Sequence, residues 1–281
     1  MRTVIARPHW SYSSVSQYLK CPLQYYFERV AKLPRKRVTD AQVLGSAVHS
    51  ALAAYHRKLQ SGEPISSEAV RHAYLDSWDG QVGDGRVVAS GGKPLGASRD
   101  LGMALVDIYL EQPPPRTIVA VECPKMAPIA DSRGDYLEKP VMVVADLVTR
   151  REDGSLRITE IKTSGRAYSE SEAATSLQPT FYANAYYESA GEDPAVEFAV
   201  LVKTKVPRLQ RIQAVRTTSD YRRLGDLIKV VERAVDAEIF YPVESPLNCS
   251  GCPFHRPCRE WTGRHGRTHV VASRPEELVA C

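Results

Sequence analysis

The chain has 281 residues, of which 43% are hydrophobic and 25% charged, a composition typical of globular proteins. A net charge of +4 permits a polyanionic partner without requiring one. No apolar run reaches the ~20 residues that span a bilayer, and residues 1–10 lack the apolar core of a signal peptide. We therefore expect no membrane association and a cytoplasmic location.

The first 110 residues carry mainly helical patterns. We predict two short helices within 11–32, a helix over 43–60, a third over 66–78, a glycine-rich surface loop over 81–96 and a helix over 101–110. Cys21-Pro22 separates the first two, because proline suits the start of a helix and not its interior.

Strand patterns dominate the rest of the chain. β-branched residues predict strands over 117–123, 141–149, 156–163 and 196–203, with helices over 178–189 and 220–240. This order predicts an α/β fold in which helices flank a small mixed sheet, as a single domain over 1–281 with a C-terminal tail over 263–281. No GxxxxGK[ST] loop occurs in the sequence, which argues against an ATP-driven motor of that class.

An acidic residue, Asp146, interrupts an apolar strand that would otherwise be buried. A two-residue loop to the next strand would leave Glu160 on the other face of the sheet. A three-residue loop, with Gly154 left-handed, pairs Arg151 with Ser155 and sets Asp146 directly opposite Glu160. We predict the three-residue loop, because only that register gathers the charges.

Lys162 lies two residues beyond Glu160 and therefore on the same face of the strand. Two carboxylates suit Mg²⁺ or Mn²⁺, and an ammonium beside them could orient water or stabilise a phosphorane-like transition state. The pattern D…ExK is short, and an ion-pair cluster on a solvated face explains it equally well.

Three further side chains are candidates for the same site. His49 lies among small residues on a helix, where a histidine is more often a hydrogen-bonded core residue than a ligand. Gln178 and Tyr182 are four residues apart and share a helix face, which alone is more typical of a core stripe.

Four cysteines form a second candidate centre. In a reducing compartment, spaced thiols indicate a soft metal rather than disulfides, whereas Cys123 and Cys281 stand apart as bystanders. The four are Cys21, Cys249, Cys252 and Cys258.

Taken in order, these motifs resemble the RecB-like exonuclease family of the PD-(D/E)xK nuclease superfamily, especially its iron–sulfur members, including CRISPR-associated RecB-like exonucleases. The matching motifs are Ser13-x-x-x-Gln17-Tyr18-x-x-Cys21-Pro22, Gly45-x-x-x-His49, Asp146, Glu160-x-Lys162, Gln178-x-x-x-Tyr182 and Cys249-x2-Cys252-x5-Cys258. The chain departs from the family at Val144-Ala145, where a glycine often precedes the aspartate.

The resemblance implies a restriction-endonuclease-like core and a metal site made by His49, Asp146, Glu160 and the Ile161 backbone carbonyl. It implies Lys162 as the catalytic lysine, with Gln178 and Tyr182 supporting the active site or contacting DNA.

The resemblance also implies a [4Fe–4S] cluster on the four cysteines, in a helical subdomain formed by 11–32 and 241–262. Closing so long a loop would stabilise the fold by about 4–5 kcal/mol if it acted as a disulfide does, so we interpret the cluster as a structural clamp. Zn²⁺ is the rival occupant, and His255 could then replace one thiolate.

The implied function is divalent-metal-dependent exonucleolytic hydrolysis of DNA, on single strands or free ends. The resemblance implies a role in recombination, repair or phage DNA processing, in which a helicase or recombination protein could be a partner. The rivals are a non-catalytic DNA-binding or adaptor module and a nuclease for CRISPR spacer acquisition. For DNA contacts we consider Lys203, Lys205, Arg208 and Arg211, which could equally be solvated surface charges. The residues 25–27, Tyr-Tyr-Phe, could stack on bases or pack around the cluster.

Overall fold

The middle of the chain folds as a five-stranded mixed sheet, in agreement with its runs of β-branched residues. The computed structural model describes residues 8–35, 37–83, 85–89, 94–191 and 193–262. In these ranges the strands are β1 (Val38–Thr39), β2 (Val87–Val88), β3 (Ile118–Ala127), β4 (Val141–Arg150), β5 (Leu156–Ser164), β6 (Ala195–Val202) and β7 (Arg208–Gln213).

Helices precede the sheet, connect its strands and follow it. In the described ranges they are α1 (Tyr12–Lys20), α2 (Pro22–Tyr25, continued by a π-helix over Tyr26–Val30), α3 (Asp40–Gln60), α4 (Ser67–Val82), α5 (Leu95–Leu110), α6 (Glu170–Thr175), α7 (Leu177–Ala190), α8 (Thr218–Asp236), α9 (Pro246–Cys249) and α10 (His255–Arg259). None of the helices in this part of the chain combines the length and the apolar character that a bilayer crossing requires.

The sheet has the order β3-β4-β5-β6-β7, and only the β5–β6 pair is parallel. A parallel pair needs a crossover connection, which α6 and α7 provide between β5 and β6. The short strands β1 and β2 pair with each other beside α3.

Two helical layers cover the sheet on opposite faces. Ile161 and Ala199 pack against α3, α4 and α5, whereas Ile158 belongs to a core that includes buried side chains of α7 and α8. Because adjacent strand residues point to opposite faces, Glu160 points towards α7 and not towards the α4–α5 layer. This alternation places Glu160 beside a polar stripe of α7, formed by Gln178 and Tyr182.

The two ends of the described chain meet. The Leu23 backbone N–H donates to the Tyr241 carbonyl at 3.0 Å, and the Tyr18 hydroxyl donates to the Ile239 carbonyl at 2.7 Å. Phe240 adds aromatic contacts with Tyr18 and Tyr25. The helical region formed from both ends is therefore held by hydrogen bonds and aromatic packing.

Most predicted elements are present, several with extended bounds, but the helix predicted over 220–240 ends at Asp236. The break at Cys21-Pro22, the four strands and the long helices agree with the prediction, and α3 begins three residues earlier than expected because Thr39 caps it. The sequence did not predict α6 or β7. The loop predicted over 81–96 contains the short strand β2, while positions 84 and 90–93 lie outside the described residues, as do the tail 263–281 and Cys281.

Candidate active site

The turn between β4 and β5 has the three-residue form that the sequence predicts. The Arg151 N–H donates to the Ser155 carbonyl at 2.9 Å, and Gly154 is left-handed with φ +85°. The backbone pairing of β4 with β5 ends at the Leu147–Thr159 pair, and one further step in the same register would set Asp146 opposite Glu160. The predicted loop and register are therefore confirmed from Arg151–Ser155 to Leu147–Thr159, and the placement of Asp146 opposite Glu160 stays a prediction.

Asp146 lies where β4 parts from β5. Its Oδ2 accepts a hydrogen bond from the Ile161 backbone N–H at 2.7 Å, while Oδ1 lies 3.1 Å from His49 Nδ1. The helix α3 can approach this closely because Gly45 has no side chain: a Cβ there would lie 3.3 Å from Thr163 Oγ1. The site therefore joins α3, β4 and β5.

Glu160 is held by a ring of donors. Its Oε1 accepts hydrogen bonds from Lys162 Nζ at 2.6 Å and from Gln178 Nε2 at 2.7 Å, and its Oε2 accepts one from the Tyr182 hydroxyl at 2.5 Å. Gln178 and Tyr182 also contact each other at 2.8 Å. The polar stripe of α7 thus fixes the carboxylate rather than only packing in the core.

The electrostatics of the site favour added positive charge. Burial raises the pKa of Glu160, and the negative charge of Asp146 raises it further. Burial acts to lower the pKa of Lys162 and of His49, yet attraction to Glu160 and to Asp146 outweighs it, so both values are raised. A cation near the two carboxylates would relieve their mutual repulsion.

A residue that the sequence did not reveal, Glu122, completes this region. The pairs Val121–Leu147 and Cys123–Ala145 on either side place Glu122 opposite Asp146 across β3 and β4. Carboxylate or imidazole atoms of His49, Glu122 and Asp146 lie within 4.8 Å of one another. Their nitrogen and oxygen donors fit a hard divalent ion.

Glu122 has the backbone of a strained residue. Its φ is +45°, a left-handed conformation that costs a non-glycine residue on the order of 1–3 kcal/mol. Arg57 Nη2 lies 2.7 Å from Glu122 Oε2, but an ion pair this exposed contributes at most about 1 kcal/mol. The ion pair with Arg57 therefore does not account for the conformation.

The structure alters the predicted grouping of ligands. Among the described residues, the compact group around His49 contains Asp146 and Glu122, not the expected Glu160. The reason is that both oxygens of Glu160 are engaged by Lys162 and the α7 side chains. The sequence could not show Glu122, because the long connection between β3 and β4 leaves their register open.

The four cysteines lie in the region where the chain ends meet. The Val243 N–H contacts Cys21 Sγ at 3.5 Å, and Cys21, Cys252 and Cys258 pack against the same core. Burial raises the pKa of Cys252 and Cys258, with the other thiols adding to it. Within the described ranges, no three cysteine sulfurs all lie within 4.8 Å of one another, whereas a zinc tetrahedron would set them about 3.8 Å apart.

The predicted DNA-contacting residues fall into different environments. Lys203 and Lys205 lie at the β6–β7 turn, and the Lys203 N–H donates to the Ser164 carbonyl just beyond Lys162. Arg211 instead contacts Glu197 at 2.6 Å on β6, so its charge is partly neutralised. Phe27 is buried and packs on Phe254, which favours the packing role for the 25–27 aromatic run.

Comparison with known proteins identifies the family. Residues 9–259 match the family model described as the PD-(D/E)XK nuclease superfamily. The chain belongs to this superfamily, and the five-stranded mixed sheet flanked by helices is consistent with that assignment.

Two solved structures share features with the chain. A crystal structure named "Putative exonuclease", from Eubacterium rectale, has a TM-score of 0.54 and 12% sequence identity, over 94% of this chain and 91% of that one. The crystal structure of SSO0001 covers 86% of this chain and 92% of its own length at 12% identity, with a TM-score of 0.31. The first likeness concerns the fold alone. No curated protein sequence matches the chain significantly.

Proposed function

We propose that this protein is a divalent-metal-dependent DNA exonuclease that acts on single strands or free ends, in recombination, repair or phage DNA processing. The observation that carries the proposal is the convergence of His49, Asp146, Glu160 and Lys162 from α3, β4 and β5. An ion-pair cluster alone does not require the α7 donors to hold Glu160 in place. The name of the Eubacterium rectale protein agrees with an exonuclease.

The donor set fits Mg²⁺ or Mn²⁺, for which His49 and Asp146 would be side-chain ligands. Glu160, which the sequence also predicts as a ligand, has both oxygens held by Lys162, Gln178 and Tyr182. When bound, the ion would supply charge neutralisation at the scissile phosphate and activation of the attacking water. Coordination by the Ile161 carbonyl stays a prediction. Its neighbouring N–H holds Asp146 in position at 2.7 Å.

Lys162 has a separate task. Its ammonium is held by Glu160 at 2.6 Å and stays protonated, because attraction to that carboxylate raises its pKa. We assign it the role of stabilising negative charge on phosphorus oxygens while a water oxygen bonds to phosphorus and the bond to one sugar oxygen breaks. Gln178 and Tyr182 fix Glu160 and through it the position of Lys162.

DNA would approach along the edge where β5 and β6 end. Lys203 and Lys205 lie just beyond this edge, within the β6–β7 turn, and could neutralise backbone phosphates. We propose further that Cys21, Cys249, Cys252 and Cys258 bind a [4Fe–4S] cluster that clamps the joined chain ends. The packing of Cys21, Cys252 and Cys258 against one core supports a shared occupant, for which Zn²⁺ is the rival.

The test is digestion of an end-labelled single-stranded oligonucleotide with Mg²⁺ or Mn²⁺. Asp146→Asn and Lys162→Ala are each expected to lower the rate at least about 100-fold, since the first weakens the metal site and the second removes positive charge from the reacting phosphate. Glu152→Gln, at an exposed acid of the β4–β5 turn, is the matched control and should cleave as wild type does. Wild-type digestion by Asp146→Asn would remove this assignment of the active site. No digestion by the wild-type protein would leave the non-catalytic DNA-binding module as the better account.

A further inference from the structure

We propose that Glu122 is a third side-chain ligand of the divalent ion that His49 and Asp146 would hold, an inference that rests on the proposed function. The ligand would be Mg²⁺ or Mn²⁺, in keeping with two carboxylates and one imidazole. Neither the family motifs in the sequence nor the neighbouring residues along the chain point to Glu122.

The first support is position. Extended by one step, the registers of β3 with β4 and of β4 with β5 line up Glu122, Asp146 and Glu160 in one row, with Asp146 in the middle. On the Glu122 side of this row, His49 closes a group whose ligand atoms all lie within 4.8 Å of one another. The exposed fractions of the three side chains are 29% for His49, 31% for Glu122 and 14% for Asp146, so an ion can reach them from solvent.

The second support is the state of each carboxylate. Both oxygens of Glu160 accept hydrogen bonds from neighbouring side chains. Glu122 uses only Oε2, towards Arg57, and its Oε1 accepts no hydrogen bond within the described part of the chain. Beside His49 and Asp146, Glu122 is therefore the carboxylate whose Oε1 is available to bind the ion.

The third support is the backbone. The left-handed conformation at Glu122 interrupts an otherwise extended strand, and the exposed ion pair with Arg57 does not offset it. Strained non-glycine residues of this kind cluster at functional sites. A bound cation would supply the missing stabilisation.

The test is calorimetric titration of Mn²⁺ into the full chain without DNA. Glu122→Gln is expected to weaken Mn²⁺ binding about tenfold or more, because it replaces a charged ligand with a neutral amide. Arg57→Gln removes the same ion pair and should keep the wild-type affinity within about threefold. Glu122→Asn provides a second variant, since asparagine tolerates left-handed backbone well, and it should weaken binding as Glu122→Gln does.

The outcomes separate the inference from the function on which it rests. Equal loss of affinity in Glu122→Gln and Arg57→Gln would overturn the inference, because the ion pair and not the ligand would then matter. Wild-type affinity in Glu122→Gln and Glu122→Asn, with binding lost in Asp146→Asn, would remove Glu122 as a ligand and leave the nuclease proposal standing. Wild-type affinity in Asp146→Asn and His49→Ala would remove the metal site altogether.

Discussion

Tyr182 shows how one hydroxyl can organise the site. It donates to Glu160 Oε2 and also lies 3.1 Å from the Val144 carbonyl, so it links α7 to both β4 and β5. Burial and the charge of Glu160 raise its pKa, which keeps the hydroxyl protonated and able to donate. The residue contributes to the fold and to the placement of Glu160 through the same bond.

Tyr182→Phe should lower the free energy of unfolding by about 1–3 kcal/mol, because it leaves a buried carboxylate oxygen short of a donor. The change is measured by urea unfolding. Tyr187→Phe on the same helix is the control: its hydroxyl makes no hydrogen bond in the described ranges, so its effect should stay within about 0.5 kcal/mol. Equal effects in the two variants would show that the bond to Glu160 contributes no stability.

At this scale, the sequence identified the residues that occur in short motifs and missed the one that does not. His49 and Asp146 were predicted and lie 3.1 Å apart. Glu122 carries no motif, and its place beside them depends on a backbone angle and a long-range register. Neither can be derived from neighbouring residues along the chain.

Among the elements, α8 is held against the connection between β3 and β4. Gly225 of α8 lies so close to this connection that a Cβ would be 2.2 Å from the Ala130 carbonyl oxygen. Asp131 accepts backbone hydrogen bonds from Arg133 and Asp135 at 3.0 Å each and is bonded to Lys229 of α8. These contacts fix the route of the chain into β4, which carries Asp146.

Gly225→Ala should destabilise the protein by about 1–3 kcal/mol, although alanine favours a helix, because backbone atoms must move to accommodate the methyl group. Gly80→Ala in α4 meets nothing within 4 Å and should stabilise by about 0.5–1 kcal/mol. Thermal unfolding of both variants tests the pair. A stabilised Gly225→Ala would contradict the close approach of α8 to residue 130.

Asp131 predicts a particular pH dependence of stability. The hydrogen bond from Lys229 lowers its pKa to about 2, and backbone N–H groups add to the effect against burial. Because the folded-state pKa lies below the unfolded value of 3.8, ionised Asp131 stabilises the fold above about pH 4. This stabilisation is lost as the pH falls towards 2. The stability difference between wild type and Asp131→Asn, from urea midpoints, should shrink over that range. A difference that stays constant would contradict the ion pair.

Element prediction succeeded where apolar periodicity is strong and failed where it is weak. The strands β4 and β6 are rich in buried aliphatic residues and were predicted. The edge strand β7, Arg208–Gln213, is polar and half exposed, so its charges were interpreted as DNA contacts or solvated surface charges and not as a strand. The short helix α6 has a single buried residue, Ala173.

At the scale of the whole molecule, the two ends of the described chain contact each other in the cysteine region. Residues from both ends of the described chain share hydrogen bonds and aromatic contacts there. The order of the cysteines predicted that the two ends meet. The contacts that hold them, such as the Tyr18 hydroxyl on the Ile239 carbonyl, could not be predicted because they join residues 221 apart.

Cys252→Ser should lose the proposed cluster and lower the thermal midpoint, because one thiolate and the clamp are removed together. The measurement is iron and zinc content with the violet-blue absorbance of anaerobically purified protein, followed by thermal unfolding. Cys123→Ser, at an exposed cysteine away from the other four, is the control and should keep iron and stability unchanged. Zinc without iron in the wild-type protein would replace the cluster by a structural zinc site.

The central claim, a hard-metal site between α3 and β4, is tested most directly by anomalous diffraction from crystals of the full chain soaked in Mn²⁺. We predict a manganese peak about 2.0–2.3 Å from a His49 nitrogen and an Asp146 oxygen, with Glu122 as its third side-chain ligand. A peak bound by neither His49 nor Asp146, or no peak at saturating Mn²⁺, would contradict the account.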